Sequence, residues 1–283
     1  VQEMWQAANM GFGLVLLLNQ GAIDAIHHHG SPEQRATYLP RMISGEWTGT
    51  MNLTEPQAGS DLGQLKSRAV RDGDHYLVTG QKIFITYGDH DMAENIVHLV
   101  LARTPDAPAG VRGISLFIVP KFLVDTDGKP GKRNDLHCVS LEHKLGIHAS
   151  PTCVMSFGDD GGAVGYLVGE EGRGLSYMFT MMNNARLSVG IQGLAIAERA
   201  YQQAATFART RVQSKDDGSP RPESVAIVHH ADVRRMLMTM RAQIEAMRAL
   251  GYYTAAGIDG ALKHPDKETA RKTQDRVDLL IPI

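Results

Sequence analysis

Apolar residues in the first 45 positions repeat with the spacing of helices. Five of them lie near one helical face: Leu14, Leu17, Leu18, Ala22 and Ala25. Gly30 stands where such a helix would end, and Ser31, followed by Pro32 and Gln34, has the pattern of a capped helix start. The sequence therefore predicts helices over residues 1–45, with a break near position 30.

From Glu46 to about Phe157 the pattern changes to short runs rich in β-branched and aromatic residues. Two of these runs lie on either side of Asp72-Gly73, which is typical of a hairpin turn. No helical pattern of about 10–15 residues separates the runs, so the sequence argues against a parallel α/β sheet. An antiparallel β-barrel or sandwich is predicted instead.

After the segment Gly169–Gly174, GEEGRG, the helical period returns. The residues that fit one face of a long helix, ending near Arg211, are Leu175, Met178, Met182, Val189 and Ile196. A polar connection at Gln213–Ser224 precedes a second long helix over roughly residues 226–255, and His264–Ala270 opens a third.

This order of helices, strands and helices predicts a multi-domain α and β protein. The expected parts are an N-terminal helical domain (1–46), a middle β domain (47–160) and a C-terminal helical bundle (161–283). The chain begins at Val1 inside an apolar pattern and ends at Ile283 without a polar tail. We therefore expect that it is cut at both ends.

Composition and charge exclude several classes of partner. The 283 residues include 29 Lys and Arg against 31 Asp and Glu, so no basic stripe exists to bind nucleic acid. The apolar run Gly11–Leu18 is far shorter than the roughly 18 residues of a membrane helix and lacks the basic flank of a signal peptide. Cys138 and Cys153, both in strand-like contexts, indicate a reducing compartment. We expect a cytoplasmic protein without an integral membrane segment.

The segment Met51–Asp61, MNLTEPQAGSD, has the composition of a ligand-binding loop. Pro56 fixes the backbone, Gly59 permits close approach, and Thr54 and Ser60 offer hydroxyls. It is neither a Walker loop nor a dinucleotide fingerprint. The residues alone are compatible with a site for a polar ligand or with a simple turn.

The same segment resembles the first signature of the acyl-CoA dehydrogenases, flavoproteins that oxidise acyl-CoA thioesters to enoyl-CoA. Further stretches agree with the family in order and spacing: Ser31–Thr50, Gly80–Thr86, Leu141–Thr152 and Gly169–Phe179. The segments KLGIHASPT and MMNNARLSVG look nearest to a bacterial subgroup that includes broad-specificity fatty acyl-CoA and 3-methylmercaptopropionyl-CoA dehydrogenases. The resemblance implies the fold predicted above and FAD as cofactor.

The resemblance also implies roles for individual residues. Those around the flavin pyrimidine edge and pyrophosphate are Met51, Leu53, Thr54, Gly59 and Ser60. Ser60 would also lie beside the pantetheine of CoA. Phe84 and Thr86 match the residues on the face and the N5 side of the flavin ring, although many relatives have Trp where Phe84 stands.

Three further matches fall on the predicted long helix and its end. Arg186 would bind the CoA side of the substrate, and Asn183 stands where many relatives have Asp. Arg211 matches an Arg that reaches the flavin pyrophosphate of a neighbouring subunit, which implies a homo-oligomer, a dimer or larger.

The reaction of this family needs a carboxylate that removes the α-proton. The usual Glu lies in a Gly-Gly-x-Gly-Tyr segment, which this sequence lacks, and the alternative helical position holds Ala185. We therefore expect no catalytic residue in this chain and a base beyond Ile283.

Three hypotheses remain open from the sequence. The first is an FAD-dependent acyl-CoA dehydrogenase that passes electrons to an electron-transfer flavoprotein. The second is an acyl-CoA oxidase, and the third is a relative that has lost catalysis and serves as a binding or assembly protein. The Pro-Gln-Ala-Gly-Ser form of the loop resembles the dehydrogenase type and favours the first.

Other conspicuous residues are interpreted as structural. Consecutive histidines at His27–His29 cannot all converge on one metal ion, so we predict a solvated helix end and no metal. Met178–Met182 are expected to fill the core, with a share in an acyl pocket as the alternative. Cys138 and Cys153 are predicted to be packed thiols. Glu170 and Glu171 are expected to compensate a helix dipole, and Glu55 is expected to form hydrogen bonds.

Overall fold

The beginning of the chain is helical, as predicted. The computed structural model describes residues 1–216 and 222–282. Its first helices are α1 (Gln2–Ala8), α2 (Met10–His29) and α3 (Pro32–Ser44). Gln34 N donates to Ser31 Oγ, and Ser31 N donates to the Gln34 side chain. This reciprocal capping box confirms the predicted start of α3.

The middle of the chain forms strands. They are β1 (Trp47–Asn52), β2 (Arg68–Asp72), β3 (His75–Thr86), β4 (Asn95–Arg103), β5 (Ile114–Pro120), β6 (Phe122–Val124), β7 (Pro130–Arg133), β8 (Leu136–Leu141), β9 (Thr152–Phe157) and β10 (Ala163–Leu167). The large sheet has the order β1-β4-β5-β10-β3-β9-β8, β2 pairs with β3, and β6 pairs with β7. The hairpin predicted around Asp72-Gly73 is present, with Asp72 opposite His75.

The predicted antiparallel pairing holds for most of the sheet but not for the pairing of β1 and β2 with β4, which is parallel. β1 runs parallel to β4, with Trp47 opposite Asn95 and Asn52 opposite Val100. The crossover between the two strands contains the short 3₁₀ turn Leu62–Gln64 and the β2–β3 hairpin instead of an α-helix. Because a hairpin leaves no helical period in the sequence, the usual signal of a parallel pair is missing.

The end of the chain is again helical, with α4 (Gly174–Thr210), α5 (Ala231–Lys263) and α6 (Lys267–Leu280). Helix α5 begins and ends later than predicted, because Ile227–His229 form a short 3₁₀ turn and the helix continues to Lys263. The predicted connection Gln213–Ser224 includes residues 217–221, which lie outside the described residues.

The predicted face of α4 is only partly correct. Met178 is fully buried, but Val189 and Ile196 are exposed, whereas Ile191 and Leu194 are buried. Met182, Val189 and Ile196 are spaced by seven residues. Beyond residue 185 the helix belongs to a second compact unit of the chain, where Ile191 and Leu194 form a cluster with Ile244, so the row from Met182 no longer marks the buried face.

The chain divides into two compact units. One comprises residues 11–185, and the other comprises residues 1–10 and 186–283. In the first unit, α2 and α3 pack on one face of the sheet, and a second cluster covers the other face. Strand β4 alternates between them, because Leu99 belongs to the first cluster and Val100 to the second. The predicted domain boundaries stay a prediction.

Strand β1 lies so close to the helices of this unit that only glycine fits at position 49. A Cβ there would lie 2.3 Å from Ala22 Cβ and 2.9 Å from Met42 Cε. The strand is therefore fixed just before the loop that follows it.

Helix α2 is longer than the apolar run Gly11–Leu18 indicated. With 20 residues, it is long and apolar enough to cross a membrane by length and composition alone. Half of its most apolar stretch is buried inside the protein, and the core helix of a globular protein can have the same length and composition.

Candidate functional site

The loop that follows β1 turns tightly at Glu55. Glu55 N donates to Ala58 O over 2.9 Å, and Ala58 N donates to Glu55 O over 3.0 Å. The turn leaves Gly59 and Ser60 exposed, and a Cβ at Gly59 would have only Thr54 Cγ2 within 4 Å, at 3.9 Å. The segment therefore presents backbone and hydroxyl groups on an open surface.

A buried ion pair fixes the two ends of this loop. The side chain of Lys82, on β3, has no exposed surface, and that of Glu55 is 3% exposed. Lys82 Nζ donates to Glu55 Oε1 over 2.8 Å and to Leu53 O over 3.0 Å. Glu55 also accepts from Lys66 N and from the N–H and hydroxyl of Ser67.

The two partners hold each other in the charged state. Burial lowers the pKa of Lys82 to about 8, although Glu55 acts against this shift. Burial would raise the pKa of Glu55, but the charge of Lys82 and the hydrogen bonds from Lys66 and Ser67 hold it at about 2. This confirms the expectation that Glu55 forms hydrogen bonds.

A bulge in β3 turns the Phe84 ring out of the sheet. The register with β9 shifts between Lys82 and Ile85, and Phe84 has a φ of 60°, in the left-handed region. Phe84 is 58% exposed, whereas Ile85 takes the inward position and is 2% exposed. A non-glycine residue with this φ stores strain of about 1–3 kcal/mol, and such strain clusters at ligand sites.

The loop and the bulge are joined by their backbones, since Ile83 N donates to Thr54 O over 2.9 Å. Thr54 and Phe84 therefore lie side by side, and Thr86 follows on the same strand, opposite Thr152. Sequence-predicted residues that are about 30 positions apart are thus brought together in one region.

The hydroxyls of this region have no protein partner among the described residues. In the part of the chain that the structure describes, the side chains of Thr54, Ser60 and Thr86 make no hydrogen bond to another residue. Met51 and Leu53 add half-buried and buried apolar surface at the end of β1. An exposed aromatic ring beside unpaired hydroxyls and open backbone suits a large, flat ligand with polar edges, as a flavin is.

A second anchor lies at the far end of the loop. Arg103, at the end of β4, donates to the carbonyl oxygens of Leu65, Gly63, Pro108 and Gly110 over 2.7–3.2 Å. This guanidinium ties the loop to the β4–β5 connection without touching Leu53 or Glu55.

The predicted substrate residues lie on helix α4. Asn183 belongs to the unit of residues 11–185, and Arg186 to the other unit. Arg186 is exposed and borders a cavity of about 130 Å³ whose apolar lining includes Ile191, Leu194 and Met247. Arg211, just after the helix, is exposed and donates to Gln213 Oε1. That Asn183, Arg186 and Arg211 contribute to the site near Phe84 stays a prediction.

Several of the structural interpretations can be compared with the structure. Met178 and Met181 are fully buried in the core, as expected. Cys153 is buried, and burial raises the pKa of its thiol to about 12, which confirms a packed thiol; Cys138 is half-buried. Among the described residues no group of three or more His, Cys, Asp or Glu could hold a metal ion.

The expectations for the His27–His29 segment and for Glu171 need correction. His29 is not simply solvated, because it stacks on Tyr177 at 4.5 Å and bonds Thr180 Oγ1 over 2.7 Å. Glu171 accepts hydrogen bonds from Tyr76 and Thr104 and so ties the segment before α4 to the sheet. Specific partners therefore outweigh a dipole role for Glu171.

The chain matches three family models in sequence order. They describe the N-terminal domain (residues 1–46), the middle domain (50–159) and the C-terminal domain (172–273) of acyl-CoA dehydrogenases. The chain belongs to the acyl-CoA dehydrogenase family. The predicted arrangement of an α, a β and an α part is confirmed by this match and by the structure.

Two relatives resemble the chain over most of its length. The 3-methylmercaptopropionyl-CoA dehydrogenase of Ruegeria pomeroyi is 54% identical over 99% of this chain and 47% of that protein. The broad-specificity linear acyl-CoA dehydrogenase FadE5 of Mycobacterium tuberculosis is 41% identical over 93% of this chain and 44% of that protein. The chain thus spans about half the length of the curated relatives it matches.

A solved acyl-CoA dehydrogenase from Bacillus anthracis, complexed with FAD, has the same fold. Its TM-score with this chain is 0.76 at 26% identity, over 99% of this chain and 44% of that structure.

Sequence reasoning missed Lys82 and Arg103, which hold the acyl-CoA dehydrogenase signature loop in place. Lys82 was detectable, since Tyr76, Val78, Gly80 and Lys82 alternate along β3 and the first two are buried. Arg103 bonds only backbone carbonyls, so its role left no pairing signal in the sequence.

Proposed function

We propose that the full protein catalyses the FAD-dependent α,β-dehydrogenation of an acyl-CoA thioester to the trans-2-enoyl-CoA. The observation that carries the proposal is the surface on which the strained, exposed Phe84 lies beside unpaired hydroxyls of the signature loop. Membership of the acyl-CoA dehydrogenase family supports the choice of reaction.

The residues of this surface fit FAD. When bound, FAD supplies the acceptor for the hydride that leaves the β-carbon of the acyl chain. Phe84 would cover a face of the bound ring and exclude water from it, and the Thr86 hydroxyl would donate a hydrogen bond to the ring. The N–H and hydroxyl of Thr54 are donors for the polar edge of the ring, and exposed Gly59 and Ser60 leave room for the pyrophosphate.

The helical residues have separate tasks in this proposal. Arg186 pairs with the charged CoA part of the substrate, and Asn183 adds a hydrogen bond. The α-proton needs a carboxylate, and Ala185 offers only a methyl group, so the base does not come from this position of the helix.

We further propose a cytoplasmic homo-oligomer that passes electrons to an electron-transfer flavoprotein. The proposal is supported by Arg211, whose side chain is exposed and bonds only the neighbouring Gln213 side chain among the described residues, so it can reach the cofactor of a neighbouring subunit. The Pro-Gln-Ala-Gly-Ser form of the loop supports a dehydrogenase over an oxidase.

The test is an anaerobic titration of the full-length protein with acyl-CoA thioesters, followed by visible spectroscopy. The panel contains butanoyl-CoA, octanoyl-CoA and 3-methylmercaptopropionyl-CoA. Bleaching of a bound flavin by at least one thioester is the expected result. A yellow protein that none of them bleaches would favour the non-catalytic relative, and rapid oxygen consumption during turnover would favour the oxidase.

A variant separates substrate binding from cofactor binding. Arg186→Ala should raise the concentration of thioester needed for half bleaching by about tenfold, because a charge-assisted contact is lost, and should leave the FAD content unchanged. Equal loss of flavin and of thioester binding would contradict the role proposed for Arg186.

A further inference from the structure

Lys82 makes a hydrogen bond that the closure of the signature loop does not need. Glu55 alone accepts from Lys66 N, Ser67 N and Ser67 Oγ, which already closes the loop. The second bond of Lys82 Nζ goes instead to the carbonyl oxygen of Leu53, over 3.0 Å. A buried cation therefore lies directly on one peptide group of the loop.

That peptide group has its N–H on the opposite side. The Leu53 carbonyl and the Thr54 N–H belong to one peptide, and the described chain contains no cis peptide bond. In a trans peptide the two groups point in opposite directions, so the Thr54 N–H points away from Lys82. Within the described residues, this N–H makes no hydrogen bond to another residue, although Thr54 O accepts from Ile83 N.

A cation on the carbonyl strengthens the N–H as a donor. It draws electron density towards the oxygen and leaves the amide proton more positive, and in hydrogen-bonded chains such polarisation adds roughly 10–30% per bond. Lys82 has no exposed surface, so water does not screen the effect.

We propose that Lys82, acting through the Leu53–Thr54 peptide, polarises the Thr54 N–H towards bound FAD and raises the reduction potential of the cofactor. This inference rests on the proposed function, in which Thr54 faces the polar edge of the ring. Reduction places negative charge on that edge, and a stronger donor stabilises the reduced form more than the oxidised form. Lys82 is a positioning residue and touches neither substrate nor cofactor.

The test compares two variants of the full-length holoenzyme. Lys82→Met with Glu55→Gln removes both charges, keeps the side-chain volumes and leaves no unpaired buried charge. Arg103→Met is the control, because it removes the four hydrogen bonds that tie the end of the same loop, at Gly63 and Leu65, to the β4–β5 connection without touching Leu53. Both variants loosen the loop, but only the first removes the cation from the Leu53 carbonyl.

The main measurement is the midpoint potential of the bound flavin at pH 7. We expect a more negative potential for the Lys82→Met/Glu55→Gln protein, with FAD affinity about threefold weaker. The Arg103→Met protein should melt at a lower temperature and keep the wild-type potential. An unchanged potential in the double variant, or an equal shift in both, would overturn the proposal.

A second measurement needs no cofactor. In flavin-free protein labelled with ¹⁵N-threonine, the Thr54 amide proton should resonate upfield in the double variant, and the Thr54→Ser spectrum assigns the signal. A resonance that does not move overturns the proposal even where the variant holds no FAD. A wild-type protein that binds no flavin contradicts the proposed function as well. A wild-type protein whose flavin is bleached by a thioester, together with a double variant whose potential and Thr54 resonance are unchanged, contradicts this inference alone.

Discussion

The signature-loop region and the helical unit of residues 1–10 and 186–283 use charges in different ways. In the loop region, Lys82 and Glu55 are almost completely buried. In the helical unit, Arg248 bonds Glu3 and Glu198, but the three side chains are 14–23% exposed. Water can replace a lost partner in the second network and cannot do so in the first. Removing one partner should therefore cost much more stability in the buried pair of the loop region than in the half-exposed network of the helical unit.

The two regions also differ in how much apolar surface they bury. Strands β4 and β5 are buried along nearly their whole length. Helix α5 buries only Ile244 and Thr254, and Met238 and Leu262 are strongly exposed. The chain itself thus fixes the side chains around Phe84, whereas its helical unit has a thin core of its own.

The largest effect expected is that of removing one member of the buried pair. Lys82→Met leaves Glu55 buried without a counter-ion, and we expect a loss of about 3–5 kcal/mol in the free energy of unfolding. Urea denaturation followed by circular dichroism measures it. The Lys82→Met/Glu55→Gln protein should regain more than half of this loss, and a double variant as unstable as the single one would show that packing, not charge, governs the site.

The second largest effect is expected from acid, which should destabilise the unit of residues 11–185. Burial lowers the pKa of His98 to about 3, so its neutral form is favoured in the folded protein. A group whose pKa is depressed by folding stabilises the protein above its unfolded pKa, near 6.5, and loses this contribution as the pH falls towards 3. Below pH 4.5 Glu55, with its pKa of about 2, adds a loss of the same sign.

Urea unfolding between pH 6.5 and 5 measures this acid dependence. The expected loss is about 1–2 kcal/mol, because each group contributes at most about 1.4 kcal/mol per pH unit. His98→Gln should flatten the curve in this range while keeping a partner for Thr50, which bonds His98 Nδ1 over 2.7 Å. A slope that is identical in the variant would exclude His98 as the cause.

The half-exposed network of the helical unit should respond less. Arg248→Met removes the bonds to Glu3 and Glu198, and we expect a loss of about 1 kcal/mol, since solvent screens the carboxylates that remain. Thermal melting at low and at high salt tests it, because added salt should shrink the difference from wild type. A loss in the free energy of unfolding as large as that of Lys82→Met would show that the buried and the half-exposed charges contribute equally to stability.

The sequence allowed much of the fold and part of the site to be predicted. The capping box of α3, the β2–β3 hairpin and the long helix α4 follow from local patterns, and the structure confirms them. The parallel pairing of β1 and β4 depends on a long-range crossover that has no local signal. The roles of Thr54, Ser60 and Thr86 were inferred from family resemblance, and their unpaired hydroxyls agree with it without testing it.

The bulge in β3 shows most clearly where alternation fails. Period-two patterning from Tyr76 predicts an inward Lys82, which is correct, and an inward Phe84, which is wrong. The extra residue between Lys82 and Ile85 moves every later side chain to the other face. Nothing in GQKIFIT marks the bulge, because Phe and Ile suit either face of a strand.

The smallest effect on stability is expected at Phe84, although the effect on the cofactor is not small. Phe84→Gly relieves the strain of the 60° φ but increases the freedom of the unfolded chain, so the free energy of unfolding should change by less than about 0.5 kcal/mol. Both variants lose the ring, but Phe84→Ala keeps the strain, so it should be about 0.5–1 kcal/mol less stable than the glycine variant.

Both variants should bind FAD about three- to tenfold more weakly, because the stacking contact of the ring is lost. Urea denaturation of the flavin-free proteins and titration with FAD measure the two quantities separately. An alanine variant more stable than the glycine variant would argue against strain at the bulge. Unchanged FAD affinity in both variants would show that the Phe84 ring does not contact the cofactor. The bulge would then have only a structural role in the sheet.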